Sequence, residues 1–350
     1  MLAEIGHIIP AFALRDQDNC NATPLEDDVM GAPVVLVFDR RSSQSSHEDS
    51  AELVHAVTGL CERLNGIEAT LFMISRRQGP EITALTGGEA LPFRLLSDPD
   101  GAVFRAYGIE ATHSPAPPAS IVVDPNGRVV DIYEHQDVIE QTDRILACLR
   151  GMAARRPSGS LGAHPPVLVI PNAMDADMCR RLMETWHNPV PLWEGDGQNS
   201  AGFNIEEGDF KVRNARYGNV VQYIVRDTGL TQVLDQEVLG RIVPQMEKAF
   251  GYRLSDREEY RIACYDVAED GSLPAHRDNP TKTTQHRRFT VSVNLNNSSF
   301  EGGELTFRES SDHRYDVEEG TAIVWSCSLL HEVLPVTAGQ RFILGTHLYG

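Results

Sequence analysis

Residues 261–278 read RIACYDVAEDGSLPAHRD, and residues 320–348 read GTAIVWSCSLLHEVLPVTAGQRFILGTHL. Both are built of short runs rich in β-branched and aromatic residues, broken by Gly, Pro and acidic turns, which is how successive strands read. Strands are expected at Arg261–Val267, Phe289–Leu295, Glu304–Phe307, Ala322–Trp325 and Arg341–Leu348, the last starting after a turn at Gly339. Upstream, Asp175–Trp186 and Thr231–Phe250 carry helical apolar spacing. Helices followed by many short strands predict a β-barrel or jelly roll with supporting helices, here residues 167–350.

Before that unit the pattern differs. Residues 151–166, GMAARRPSGSLGAHPP, combine Gly, Ser and Pro without periodicity and read as a linker. Within residues 1–150, the apolar runs Pro33–Phe38, Ala69–Ser75 and Ala119–Val123 alternate with helical stretches at Ala51–Leu64 and Val138–Leu149. Strands separated by helices predict an α/β sandwich. A chain of 350 residues also exceeds what one core usually organises.

Fifty acidic against 31 basic side chains leave a net charge of −19. The excess is shared, with 13 basic and 23 acidic residues in 1–160 and 18 and 27 in 161–350, so each half is acidic by itself. Such a field argues against non-specific nucleic-acid or anionic-membrane binding, while leaving room for a basic pocket for one small anion. No apolar stretch approaches the roughly 20 residues of a membrane helix, and Glu4 falls where a signal peptide would be basic. The six cysteines, at 20, 61, 148, 179, 264 and 327, form no Cys-x-x-Cys, which suits a reducing, cytoplasmic setting.

His276-Arg277-Asp278 is followed 53 residues later by His331. In an extended chain positions i and i+2 share a face, so His276 and Asp278 can point inward together, with His331 arriving from a distant strand. Two imidazoles and one carboxylate with open positions are the ligand set of non-haem Fe(II) oxygenases. The bare pattern is equally open to solvated or core histidines in a chain with 12 of them. Context narrows this. Arg341 lies in an apolar strand, where a guanidinium can grip a carboxylate bidentately rather than make a surface ion pair. Tyr265 adds a hydroxyl, though a core tyrosine is the commoner reading. His347 shares the strand face of Arg341 and either reaches the same cavity or closes the chain end as a hydrogen-bonded histidine. Arg213 and Arg216, in the basic run 210–217, fit a substrate-covering loop or a solvated face.

Tyr265, Pro274–Asp278, Arg288–Asn296, Phe300–Phe307, Gly320–Trp325, His331–Val336 and Gly339–Arg341 occur in an order that resembles the Fe(II)/2-oxoglutarate-dependent oxygenases of the prolyl 4-hydroxylase-like branch. The resemblance implies a double-stranded β-helix with iron on His276, Asp278 and His331, and 2-oxoglutarate against Arg341 and Tyr265. It implies hydroxylation of an unactivated C–H bond of an amino acid, a prolyl-type peptidyl residue or a small metabolite, with dioxygen consumed, succinate and CO2 released, and ascorbate as a reductant. Aspartate at 278, rather than a small residue, favours hydroxylation over halogenation.

Residues 4–135 resemble the peroxiredoxin branch of the thioredoxin fold through Gly6–Phe12, Pro33–Phe38, Leu91–Asp98, Ala106–Gly108 and Ile121–Gly127. In that family a reactive Cys follows the first core strand; here the matching position is His47, and Cys20, Cys61 and Cys148 fall elsewhere. The expectation is a redox-inactive module suited to docking or homodimer formation. A cis bond before Pro118 is left open by the same analogy. Two rival readings remain: a non-catalytic scaffold, which predicts a broken triad or lost carboxylate anchor, and a thiol peroxidase, which predicts a Cys near position 47.

Overall fold

A computed structural model describes residues 3–24, 26, 29, 31–41, 47–64, 66–85, 90–109, 117–134, 138–155, 164–188, 212–213 and 219–350. The chain divides into two compact units, Met1–Gly159 and Ser160–Gly350.

The first unit contains strands β1 (Leu14–Asp16), β2 (Asn21–Ala22), β3 (Val34–Phe38), β4 (Thr70–Ser75), β5 (Arg94–Ser97), β6 (Ala119–Val123) and β7 (Val129–Tyr133). Its helices are α1 (His47–Arg63), α2 (Gly79–Leu85), α3 (Ala102–Ala106) and α4 (Val138–Arg155). The sheet order is β2-β1-β5-β4-β3-β6-β7, with β3, β4 and β5 parallel and the others antiparallel. β3 reads as an unbroken apolar run because it is covered on both sides. Val35 and Val37 pack with Leu53, Val57 and Leu60 of α1 and Ile145, Leu146 and Leu149 of α4. Val34, Leu36 and Phe38 pack with Val103 and Phe104 of α3. This is the expected thioredoxin-like α/β fold. The closing helix runs on to Arg155, six residues past its expected end, so the stretch expected as a linker starts as helix. Met152 explains this: it is packed against the same core as Leu149 and carries the apolar stripe one turn further. None of the described peptide bonds is cis, Pro118 included.

The second unit opens with β8 (Val167–Ile170), α5 (Ala176–His187), β9 (Val212–Arg213) and β10 (Val221–Ile224). Next come α6 (Thr228–Glu237) and α7 (Val243–Phe250), joined by a π-helical turn over Val238–Ile242. The expected helix Thr231–Phe250 thus exists, but with a widened turn just before Pro244, whose ring lacks the N–H an unbroken ladder requires. The strands that follow are β11 (Asp256–Arg257), β12 (Arg261–Asp266), β13 (Leu273–His276), β14 (Phe289–Asn294), β15 (Phe300–Gly302) and β16 (Leu305–Thr306). The last four are β17 (Arg314–Tyr315), β18 (Ala322–Ser326), β19 (His331–Val333) and β20 (Val336–Tyr349).

These strands make a large sheet along the path β8-β18-β14-β20-β12-β10-β9 and a small one ordered β13-β19-β16-β17. One face of the large sheet, through Ile262, Val291, Val293, Val324, Phe342 and Leu344, meets Leu182 and Trp186 of α5, Leu230 and Leu234 of α6 and Met246 of α7. The other face, through Ala263, Tyr265, Ile323 and Trp325, meets Leu305 and Val333 of the small sheet. Two sheets closing on a shared interior, with helices backing the larger, form the double-stranded β-helix. β20 is longer than expected. Gly339 is no turn before the strand but a residue within it at φ 68°, and a Cβ there would lie 1.9 Å from the Ser299 carbonyl oxygen. Glycine therefore lets the strand pass β15 at close range. Among the described residues no helix is long and apolar enough to cross a membrane.

Candidate active site

His276 ends β13 and pairs directly with His331, the first residue of β19, so the ladder of the small sheet brings both rings together, 4.3 Å apart at their centroids. Asp278 arrives differently from the expectation. The strand stops at His276, so pleat alone does not aim the carboxylate. Hydrogen bonds do: the Asp278 N–H donates to the Cys327 carbonyl at 3.0 Å, and the Thr290 hydroxyl donates to Oδ2 at 2.5 Å. The result places His276 Nε2 3.4 Å from Oδ1 and His331 Nε2 3.5 Å from Oδ2.

The two rings are also oriented for metal binding. His276 Nδ1 faces the Pro274 carbonyl at 2.8 Å and His331 Nδ1 the Leu329 carbonyl at 3.0 Å. A carbonyl accepts only, so each Nδ1 carries a proton, which leaves Nε2, on the side of Asp278, as the nitrogen available to a metal ion. Trp325 packs edge-on against His331 at 5.0 Å and limits the ring's rotation. Burial raises the Asp278 pKa, but His331, His276 and His347 outweigh it and hold the carboxyl well below its usual range. Burial lowers the His331 pKa and keeps that ring neutral; it also opposes charge on His276, where the Asp278 carboxylate prevails and the pKa rises. His276, Asp278 and His331 are the group of ligand-bearing side chains among the described residues that could hold a metal ion, with all three donor atoms within 4.8 Å of one another. Two imidazole Nε2 atoms and an ionised carboxylate suit a divalent first-row ion, whose binding displaces any proton from Nε2.

Arg341 and Tyr265 are direct partners across β20 and β12. Alternation along β20 sends Phe342 and Leu344 to the helices and Arg341 to the interior, where it is 5% exposed. The Arg341 Nη1 donates to the Gly303 carbonyl at 2.6 Å, and the guanidinium carbon lies 5.9 Å from the Tyr265 ring centre. Burial pushes the Tyr265 pKa up to about 12, so its hydroxyl stays a donor at neutral pH. A second interior donor was not expected from sequence: the Trp325 indole N–H is buried with no partner among the described residues.

His347 lies beside the candidate metal ligands. Its Nε2 lies 3.7 Å from Asp278 Oδ1, and its Nδ1 is 3.3 Å from Glu258 Oε2. Glu258 itself carried no sequence signal, because it sits in an irregular stretch between β11 and β12. Burial disfavours its charge, yet His347 and Arg287 hold the carboxyl far below its usual range. Arg216 and the stretch 194–209 lie outside the described residues, as does the side chain of Arg213, whose backbone is in β9.

In the first unit, position 47 falls on the first residue of α1, where a reactive thiolate would gain from the helix start. It is a histidine. Cys61 is in the last turn of α1, and burial pushes its thiol up to about 11.

Residues 260–349 match the model of the 2OG-Fe(II) oxygenase superfamily, and residues 5–132 that of the AhpC/TSA family. No curated protein matches the chain. Among solved structures, a prolyl 4-hydroxylase from Pseudomonas putida shares 16% identity over 53% of this chain and 92% of its own, with a TM-score of 0.39. The viral collagen prolyl hydroxylase of Paramecium Bursaria Chlorella virus-1, solved as a 2OG complex, shares 16% over 52% and 94%, with a TM-score of 0.38. Peroxidoxin BcpB from Mycobacterium tuberculosis shares 22% over 44% and 99%, with a TM-score of 0.37. The carboxy-terminal unit is a 2-oxoglutarate-dependent oxygenase domain whose cofactors are Fe(II) and 2-oxoglutarate, and the amino-terminal unit is peroxiredoxin-like.

Proposed function

We propose that this oxygenase domain hydroxylates an unactivated C–H bond of an amino acid, a prolyl-type peptidyl residue or a small metabolite. The observation that carries the reading is the convergence of two imidazole Nε2 atoms on one ionised carboxylate, 3.4 and 3.5 Å away. In it His276, Asp278 and His331 would hold the iron. Bound iron with 2-oxoglutarate supplies the oxidation: one atom of dioxygen goes to succinate, the other enters the substrate C–H bond as hydroxyl, and CO2 leaves.

The chain's own residues bind, orient and exclude water. Arg341 would hold the distal carboxylate of 2-oxoglutarate through its guanidinium, and the protonated hydroxyl of Tyr265, its cross-strand neighbour, would donate a further hydrogen bond. Burial makes these bonds stronger than they would be in water. The carbonyl-anchored Nδ1 atoms keep both imidazoles from turning, and Leu305, Phe307, Ile323 and Val333 line a dry interior. The amino-terminal unit is read as redox-inactive, on the strength of histidine at position 47 and the raised Cys61 thiol. Neither a broken triad nor a lost anchor favours the scaffold reading.

Purified protein given Fe(II), ascorbate and 2-oxoglutarate is expected to form succinate, and His276→Ala to abolish it. Wild type that binds 2-oxoglutarate yet turns it over no faster than His276→Ala, with amino-acid, peptide and extract substrates alike, overturns the proposal. A search for products heavier by one oxygen atom in those mixtures identifies the substrate.

A further inference from the structure

Asp278 is the one member of the triad that no strand ladder holds, since β13 ends at His276. Behind it Glu258, whose side chain is only 13% exposed, collects four cationic or protonatable groups. Arg287 grips it bidentately, Nε to Oε1 at 2.6 Å and Nη2 to Oε2 at 2.7 Å. His286 Nε2 is 3.1 Å from Oε1, and His347 Nδ1 and Arg261 Nη2 are 3.3 and 3.5 Å from Oε2. Two of these groups continue onward to Asp278. Arg287 Nη1, the third nitrogen of the same rigid fork, donates to the Asp278 main-chain carbonyl at 3.0 Å. The far nitrogen of His347 stands 3.7 Å from Asp278 Oδ1, the oxygen that also faces His276. Glu258 is itself tied to β20, donating from its N–H to the His347 carbonyl at 2.9 Å and accepting from the Thr346 hydroxyl at 2.9 Å.

We infer that Glu258 is a positioning residue for the metal-binding carboxylate, acting on Asp278 through two arms: Arg287 on its main chain and His347 on its side chain. This rests on the reading of His276, Asp278 and His331 as the iron ligands. The physical reason is that a planar guanidinium held at two points has a fixed third donor, so the Asp278 backbone cannot shift without breaking the Glu258–Arg287 pair. Likewise an imidazole anchored at Nδ1 presents Nε2 in one direction. Removing the Glu258 charge has two consequences. The Arg287 cation is left without its counter-charge close to a metal cation, and the His347 ring is released to approach the metal itself.

The experiment uses full-length apo protein and Co(II) alone, titrated by calorimetry and followed by the d–d absorption of the bound ion. Glu258→Gln keeps the shape and loses the charge; it is expected to weaken Co(II) binding about 10–100-fold, the usual cost of an outer-shell partner, and to change the Co(II) spectrum. His347→Asn and Arg287→Lys cut one arm each and are expected to weaken binding by less, so the inference stays testable if Glu258→Gln does not fold. Asp175→Ala, which removes the side-chain cap of α5 on the helix side of the large sheet, is the stability control: it lowers the melting temperature and leaves Co(II) affinity and spectrum unmoved. Folded Glu258 and arm variants that bind Co(II) like wild type, with the same spectrum, overturn the inference and leave the ligand reading standing. Wild type that does not bind Co(II) overturns the ligand reading itself.

Discussion

In the proposed function Arg341 acts through its geometry more than through its charge. A guanidinium offers two parallel donors to a carboxylate, while an ammonium acts as a point charge on a flexible stem. Arg341→Lys is therefore expected to raise the KM for 2-oxoglutarate about 10–100-fold, the equivalent of one charged hydrogen bond, with kcat changed far less. Steady-state kinetics with 2-oxoglutarate varied checks this; an unchanged KM would remove Arg341 from the binding site. Arg341 and the candidate triad could be singled out in sequence because each is a chemically unusual residue in a patterned run. Glu258 was not, because nothing local distinguishes it from the other acidic residues of an acidic chain. Its significance comes from Arg287 and His347, 29 and 89 positions away.

At the scale of elements, β20 organises the second unit. It pairs with β12, β14, β11 and β15, and its alternation separates the helix-facing core from the interior. Between Arg341 and His347 that interior face carries Ile343 and Gly345, with Ser292 and Arg261 opposite the glycine on the flanking strands. A Cβ at Gly345 would meet nothing nearer than 3.9 Å, so Gly345→Ala should fold normally. Gly345→Leu projects a branched chain into the space between the Arg341 anchor and the triad. It is expected to cut succinate formation at least tenfold while circular dichroism and melting temperature stay near wild type. A fully active leucine variant would show that 2-oxoglutarate does not cross this face. The period-2 rule was enough to put His347 on Arg341's face; the break of β13 before Asp278 was not foreseeable, because hydrogen bonds with Thr290 and Cys327, 12 and 49 positions away, decide it.

For the molecule as a whole, each unit has its own hydrophobic core, and the candidate metal site belongs to only one of them. Ligands that bind a native state stabilise it by mass action, about 2.7 kcal/mol at a hundredfold excess over Kd. Calorimetric scans with saturating Mn(II) or Co(II) are expected to raise the transition of the carboxy-terminal unit by about 5–10 °C, given roughly 2–4 °C per kcal/mol for a domain of this size, and to leave the amino-terminal transition in place. A shift of both transitions together would mean that the units unfold as one cooperative block.

Sequence alone indicated a two-unit plan, the main apolar strands and helices of each unit, and His276, Asp278, His331 and Arg341 as candidate residues, because these rest on local periodicity and on residue types few other chemistries require. Tertiary structure alone decided what holds those residues in place. Gly339 became a positive-φ residue within the strand rather than a turn before it because β15 pairs against it at close range, and Asp278 was aimed by Thr290 and the Cys327 carbonyl rather than by pleat. Glu258 became a hub only when β20 and the segment after Asp278 folded onto it. Those outcomes depend on which distant groups share a dry interior, where an unmatched charge or donor is costly and partners are therefore found across long stretches of chain.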